Sequence, residues 1–171
     1  MDWDGANIEN PIRIRKKIQY GQKLEKKHPQ FQDKVIDMMP DDPDHVLIQL
    51  DEEVDLRPSV FLLNLKNRDR KKQVFGKENI QIWKSDKDHV VRYGEGRSRK
   101  KIPGGVKYSS LYRKSANDDW DVLFKFNELT EQKPFNFSGF TSDPDYIYIS
   151  QLNDSHKLAY YRYHVDTKKV V

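Results

Sequence analysis

One phrase recurs three times in this chain and constrains its fold more than any other feature. Residues 42–49 read DPDHVLIQ, residues 86–93 read DKDHVVRY, and residues 143–150 read DPDYIYIS. Each copy places an Asp-x-Asp turn directly before a short run of β-branched and aromatic residues, a pattern typical of a turn that opens a strand. The copies begin 44 and then 57 residues apart, so we interpret them as an internal repeat of one supersecondary unit.

Each unit contains four apolar or aromatic runs that are separated by polar turns, which predicts four short strands per unit. The predicted strands are 35–39, 45–50, 59–65 and 73–75, then 80–83, 89–93, 108–113 and 120–126, then 135–140, 146–152, 158–165 and 170–171. The segment GEGRSRKKIPGG at 94–105 is predicted to be a long hairpin loop, which explains the longer second spacing. A four-stranded antiparallel meander that repeats about every 40 to 60 residues is typical of a β-propeller, in which each repeat forms one blade.

The sequence therefore predicts an all-β chain, a partial β-propeller of about three four-stranded antiparallel blades. The blades are expected at 35–76, 79–127 and 135–171, and residues 1–34 are expected to be the end of a preceding blade plus a linker. Closed propellers use about four to eight blades, so three blades cannot close a ring. We therefore expect either a fragment of a longer protein or a chain that self-associates.

Composition and targeting signals exclude several classes of protein. The chain has no cysteine, which excludes disulfides, thiolate metal sites and cysteine nucleophiles. No apolar run approaches the roughly 20 residues of a membrane helix, and the polar N-terminus lacks the pattern of a secretory signal. The expected location is the cytoplasm, unless a targeting segment lies on sequence outside this chain.

The blade pattern resembles the propeller domain of the prolyl oligopeptidase family of serine peptidases, specifically its acyl-peptidase-like members. The segments that carry the resemblance are DGAN at 4–7, VIDMMPDDPDHVLIQL at 35–50, VFLLNLKNRDRKKQV at 60–74, IWKSDKDHVVRYG at 82–94, YSSLYRKSANDDWDVL at 108–123, FSGFTSDPDYIYIS at 137–150 and YYRYHVDTKKV at 160–170. The resemblance implies a domain that screens peptides by size and performs no chemistry. It also implies a partner, the hydrolase domain of the same or another chain.

The catalytic residues of that family have no counterpart in this sequence. Its serine nucleophile lies in a Gly-x-Ser-x-Gly turn, with Asp and His downstream, and no Gly-x-Ser-x-Gly occurs here. We therefore assign no catalytic residue and expect the chain alone not to be an enzyme. No membrane partner is expected.

The acidic turns are expected to have a structural role. Calcium loops need more carboxylates at alternating positions and a glycine, whereas Asp side chains that cap turn amides are common. His45 and His89 occupy equivalent repeat positions, which favours a role at the start of a strand. No metal site and no cofactor is predicted. The predicted structural residues are Asp42, Asp44, His45, Asp86, Asp88, His89, Asp143 and Asp145.

Four tyrosines are the candidate interaction residues: Tyr146, Tyr148, Tyr161 and Tyr163. Alternation along a strand places half of such side chains against neighbouring blades and half towards solvent or an edge. These residues support an alternative to the peptidase hypothesis, a stand-alone module that binds a protein through exposed blade faces.

A nucleic-acid partner is disfavoured. The 31 basic and 27 acidic residues give a net charge of only +4, which is small for such a binder. The basic run at 97–101 has few aromatic residues beside it on which bases could stack.

Overall fold

The computed structural model describes residues 34–54, 56–98 and 104–171. Apart from Lys34, the predicted end of a preceding blade therefore lies outside the described residues. All regular elements in the described ranges are strands. They are β1 Val35–Asp37, β2 His45–Leu50, β3 Ser59–Asn64, β4 Arg70–Val74, β5 Ile82–Ser85, β6 Val91–Arg97, β7 Lys107–Tyr112, β8 Asp121–Asn127, β9 Asn136–Phe140, β10 Tyr146–Leu152, β11 Leu158–His164 and β12 Lys169–Val170.

The strands form three four-stranded sheets, in each of which neighbours in sequence are neighbours in space. Sheet A contains β1–β4, sheet B contains β5–β8, and sheet C contains β9–β12. Every pairing is antiparallel. The predicted fold class is confirmed: the chain is all-β, with three open, blade-like antiparallel sheets.

The chain divides into two compact units, which are described separately. The first unit, Met1–Gly76, contains sheet A, and the second unit, Lys77–Val171, contains sheets B and C. One face of the two central strands of sheet A forms a buried apolar cluster, because side chains with period 2 share one face. The residues of this cluster are Val46, Ile48, Leu50, Phe61 and Leu63. Leu47 and Gln49 on the other face of β2 are buried as well.

The core of the second unit combines buried side chains of sheets B and C. Tyr93 of β6 stacks on Phe137 of β9 with ring centroids 4.0 Å apart. Phe124 of β8 meets Phe135 edge-on at 5.1 Å, and Phe135 also contacts Tyr163 of β11 at 4.7 Å. Aromatic pairs in these geometries contribute about 0.5–1.5 kcal/mol in addition to the free energy of burying their apolar area. These aromatic contacts therefore help to hold sheets B and C together.

β6 differs most from its prediction, while β4 begins at Arg70, inside a predicted turn, and β5 lies two residues later than predicted. The segment from Gly94 to Arg97 was predicted to be loop, but it continues β6 and pairs with β5 and β7. A Cβ at Gly94 would lie 2.6 Å from the Trp83 ring, and one at Gly96 would collide with the Asn79 carbonyl and the Gln81 side chain. The glycines are therefore in the strand because other groups approach its backbone closely.

Candidate interaction surface

The three acidic turns share one hydrogen-bonding pattern. In each turn the first Asp carboxylate accepts from the amide of the second Asp, and the first Asp carbonyl accepts from the amide three residues on. The carboxylate distances are 3.2 Å for Asp42–Asp44, 3.0 Å for Asp86–Asp88 and 3.0 Å for Asp143–Asp145. The carbonyl distances are 3.2 Å to His45, 3.1 Å to His89 and 3.1 Å to Tyr146. These contacts tie the carboxylates to the backbone, as an Asx turn does.

In the first turn His45 links Asp42 to the hairpin between β3 and β4. Its Nδ1 lies 2.9 Å from Asp42 Oδ2, and Asn64 Nδ2 lies 3.1 Å from its Nε2. An amide nitrogen only donates, so Nε2 accepts and Nδ1–H donates to Asp42. Both ring nitrogens are thus engaged in structural bonds.

In the second turn the Arg92 side chain pairs with the carboxylate of the first Asp. Arg92 Nη1 donates to Asp86 Oδ2 at 3.1 Å, and each side chain is 7% exposed. Its Nε donates to the carbonyl of Arg113, and its other nitrogen donates to Tyr112 Oη. His89 has φ +61° and precedes β6 by two residues. The equivalence of His45 and His89 in the sequence therefore does not extend to their geometry.

In the third turn the second Asp forms an ion pair between sheets B and C. Lys114 Nζ lies 2.6 Å from Asp145 and 2.7 Å from Asp166. These hydrogen bonds raise the pKa of Lys114 above its ordinary value and lower that of Asp145. All three groups are partly exposed and screened by solvent, so their net contribution to folding is small.

The two faces of sheet C carry different surroundings. We call the face that packs with sheet B the inner face; it carries Ile147, Ile149 and Tyr163. The outer face carries the alternate residues of β10 and β11, which are cross-strand partners in the sheet. Its residues are Tyr146, Tyr148, Ser150, Leu152, Leu158, Tyr160, Arg162 and His164.

The outer face exposes large apolar side chains. The exposed fraction is 45% for Tyr148, 69% for Tyr160, 63% for Leu152 and 57% for Leu158. A Cβ built on Gly139, which pairs with Tyr148, would meet no atom within 4 Å. The outer face is therefore an aromatic and aliphatic surface on two adjacent strands, with the buried Ser150, 7% exposed, between Tyr148 and Leu152.

Cationic groups occupy one end of the outer face. The Arg162 guanidinium lies 4.2 Å from the centroid of the Tyr146 ring, and the Tyr146 and His164 rings meet edge-on at 4.8 Å. Lys169 of β12 pairs with His164. Leu152, Leu158 and Tyr160 lie at the other end of β10 and β11, away from these cationic groups.

The structure separates the four candidate tyrosines into two pairs. Tyr146 and Tyr148 lie on the outer face, whereas Tyr163 is 7% exposed in the core and Tyr161 packs against that core. The sequence reasoning did not select Leu152, Leu158, Tyr160 or Arg162. The alternation of side chains along β10 and β11 could have indicated them, because residues that are an even number of positions from Tyr148, and their cross-strand partners, lie on the same face as Tyr148.

The second unit also contains two pockets, which are lined in part by charged side chains. One of about 550 Å³ is lined by residues that include Lys107, Lys125, Glu78 and Glu131. The other, of about 450 Å³, includes Lys114 and Asp166, which already pair with each other. Among the described residues that line them there is no histidine.

In the described ranges no group of three or more His, Asp or Glu side chains is placed to hold a metal ion. The same part of the chain contains no helix with the length and apolar character for crossing a membrane. Comparisons with protein-family models, curated proteins and solved structures give no match for this chain.

Proposed function

We propose that this chain is a non-catalytic, propeller-type segment that binds another protein through the outer face of sheet C. The observation that carries the proposal is the exposure of Tyr148, Leu152, Leu158 and Tyr160 on one face of two adjacent strands. An antiparallel sheet with one solvated face normally places polar side chains there. Contiguous exposed apolar side chains are typical of interaction surfaces.

The residue types on this face favour a protein as the partner. Tyrosine and arginine are enriched among residues that dominate binding energy, and tyrosine supplies large contact area at a small entropic cost. Two leucines lie beside the tyrosines, and aliphatic side chains give nucleic-acid bases no ring on which to stack.

The surroundings of the titratable groups support a non-catalytic role. Asp42 and His45 bond to each other and to the turn, and Asp86 bonds to Arg92 and to backbone amides. Catalytic acids and bases are expected in a cleft with room for a substrate. Here the same residue types hold turns in place.

A photocrosslinking experiment tests the proposal. Photoreactive benzoyl-phenylalanine replaces Tyr160 in one variant and Phe75 in a matched variant, because both side chains are 69% exposed. After irradiation in native cell extract, we expect one defined protein to be cross-linked at position 160, to be recovered again from position 148, and to bind the unmodified chain when purified. Equal yields from positions 75 and 160, or no product at 160, would contradict the proposal.

A second candidate function is the substrate-gating segment of a prolyl oligopeptidase-like serine peptidase. The observation that favours it is the threefold repetition of a four-stranded sheet, each with the same acidic turn before its second strand. Under this hypothesis, the protein cross-linked at position 160 is a hydrolase. It should react with a fluorophosphonate probe, which labels activated serine nucleophiles. A cross-linked partner that the probe does not label would rule this candidate out.

A further inference from the structure

We propose that the partner on the outer face of sheet C is a second copy of this chain, so that two sheets C pack face to face around a twofold axis. This inference rests on the proposed function, since it names the protein that the outer face binds. Most soluble oligomers of identical chains are symmetric, and a twofold interface uses the same patch on both copies.

The layout of the outer face fixes how two copies can meet. Leu152 and Leu158 are direct cross-strand partners at the hairpin end of the face, with Tyr160 two residues further along β11. Tyr146 and His164 are the pair at the other end. Six residues of strand separate the two ends, or about 20 Å, so the apolar and cationic parts of the face are distinct.

Charge selects one of the two ways of placing the twofold axis. An axis parallel to the strands would bring the Arg162 guanidinium groups of both copies together, and like charges in an interface are costly. An axis across the strands overlaps the apolar ends and directs the cationic ends away from each other. The second arrangement is the one that we propose.

The same arrangement brings opposite charges together at the rim of the interface. Asp154 lies in the exposed turn between β10 and β11, beside Asn153, whose side chain caps that turn. When the apolar ends overlap, this turn lies over the Tyr148 and Arg162 region of the other copy. Asp154 can then pair with Arg162, although Lys157 in the same turn reduces the net attraction.

The area is sufficient for a weak, specific dimer. Tyr148, Leu152, Leu158 and Tyr160 together expose on the order of 500 Å² of side chain, given about 200 Å² for a fully exposed tyrosine. Two copies would bury roughly 1,000 Å², which is close to the lower limit for a specific interface. We therefore expect a reversible dimer with a dissociation constant in the micromolar range, about 1–100 μM.

Sheet C already packs against a sheet on its inner face. Its contact with sheet B uses Tyr93 against Phe137 and Phe124 against Phe135. Face-to-face sheets lie about 10 Å apart and interdigitate alternate side chains. The outer face presents the same alternation of large side chains, so it can accept a sheet in the same manner.

The test is sedimentation equilibrium of the purified 171-residue chain over a concentration range of roughly 1–300 μM, chosen to bracket the expected affinity. The wild-type chain is expected to change from monomer to a plateau at twice the monomer mass. Tyr160→Asp should remain monomeric at every concentration, because it buries a charge at the centre of the interface. Phe75→Asp, at a position of equal exposure, should dimerise like the wild type.

A charge exchange tests the geometry of the dimer. Arg162→Asp is expected to weaken dimerisation at least threefold, and the double variant Asp154→Lys/Arg162→Asp should recover most of the loss. Far-ultraviolet circular dichroism and urea midpoints establish that each variant is folded. If dimerisation does not recover in a folded double variant, the arrangement with the twofold axis across the strands is contradicted.

The outcomes separate this inference from the proposed function. If the wild-type chain stays monomeric while position 160 cross-links to a different protein, the proposal that the partner is a second copy is wrong. The proposed interaction function would then still hold. A mass that rises without a plateau, or a Tyr160→Asp variant that still dimerises, also overturns the inference. A monomer with no cross-link at position 160 overturns both.

Discussion

The inner and outer faces of sheet C are built from alternate residues of the same two strands, yet their surroundings are opposite. On the inner face Ile147 and Ile149 have no exposed surface and belong to the core that is shared with sheet B. On the outer face Tyr148 and Tyr160 remain largely exposed. Large side chains therefore stabilise the fold on one face and remain exposed on the other.

The difference can be expressed in energies. Burial of a large apolar side chain contributes about 1.5–3 kcal/mol relative to leaving it exposed. The inner isoleucines make that contribution within the monomer. The outer tyrosines and leucines make it only when another surface covers them, which is why we assign them to an interface.

The largest expected effect concerns Arg92, which joins the two sheets at the inner face. It pairs with Asp86 and with Tyr112, whose hydroxyl donates to the Pro144 carbonyl in the turn between β9 and β10 of sheet C at 2.8 Å. Removing one partner of a buried ion pair costs about 3–5 kcal/mol. Arg92→Ala should therefore lower the free energy of unfolding by that amount in urea titrations. Lys114→Ala, which breaks an exposed pair, is the control and should cost about 1 kcal/mol or less.

A loss below about 1 kcal/mol for Arg92→Ala would mean that its network adds little to the packing of the two sheets. The inner face would then be held by apolar contacts alone.

A second prediction tests the packed face directly. Ile149→Ala removes a fully buried side chain and should lower the free energy of unfolding by about 2–4 kcal/mol, because the neighbours fill the cavity only partly. Urea denaturation followed by tryptophan fluorescence measures the change. A cost under 0.5 kcal/mol or so would indicate a loosely packed core between sheets B and C.

A third prediction uses the pKa values of the tyrosines in the core. Burial raises the pKa of Tyr93, Tyr112 and Tyr163, and the hydrogen bond to Glu95 raises that of Tyr93 further. A folded-state pKa above the unfolded value, about 10, gives stability that is complete below pH 10 or so and is lost as the pH rises above it. The urea concentration at the unfolding midpoint should therefore decrease as the pH is raised from about 9.5 to 11.

Tyr93→Phe is the variant that assigns this alkaline loss. It removes the ionisable hydroxyl and keeps the ring that stacks on Phe137, so its midpoint should fall less steeply with pH than that of the wild type. Identical slopes for the two proteins would contradict a contribution from Tyr93.

The smallest expected effect is at the outer face. Tyr148→Ser should change the free energy of unfolding of the monomer by no more than about 0.5 kcal/mol, since exposed positions away from special contacts tolerate substitution. The measurement is a urea titration at low micromolar concentration. A cost near that of Ile149→Ala would remove the distinction between the two faces.

The sequence predicted the strands best where a turn residue and an alternating run adjoin. β2 and β10 have the predicted bounds, because Asp-x-Asp turns mark their first residues. β6 was predicted to end at Tyr93, because Gly94 and Gly96 resemble loop residues in the sequence alone. The close approach of Trp83 and Gln81 to those glycines is tertiary information, and no local pattern contains it.

The candidate surface was predicted only in part for a similar reason. Tyr146 and Tyr148 were selected by residue type, but type does not tell which face of a strand is covered. That outcome depends on the register of β10 with β11 and on the position of sheet B. The role of Arg92 was missed because its partner, Asp86, belongs to a turn after which β6 begins at Val91, two residues later than the sequence alignment of the repeats implied.

Hydroxyl-radical footprinting of the wild-type chain at increasing concentration tests the central claim, that the outer face of sheet C is a contact surface, most directly. We expect oxidation of Leu152, Leu158 and Tyr160 to fall as the chain associates, while Phe75, equally exposed as Tyr160, keeps its reactivity. Uniform oxidation of all four residues at every concentration, in a sample that has associated, would contradict the claim.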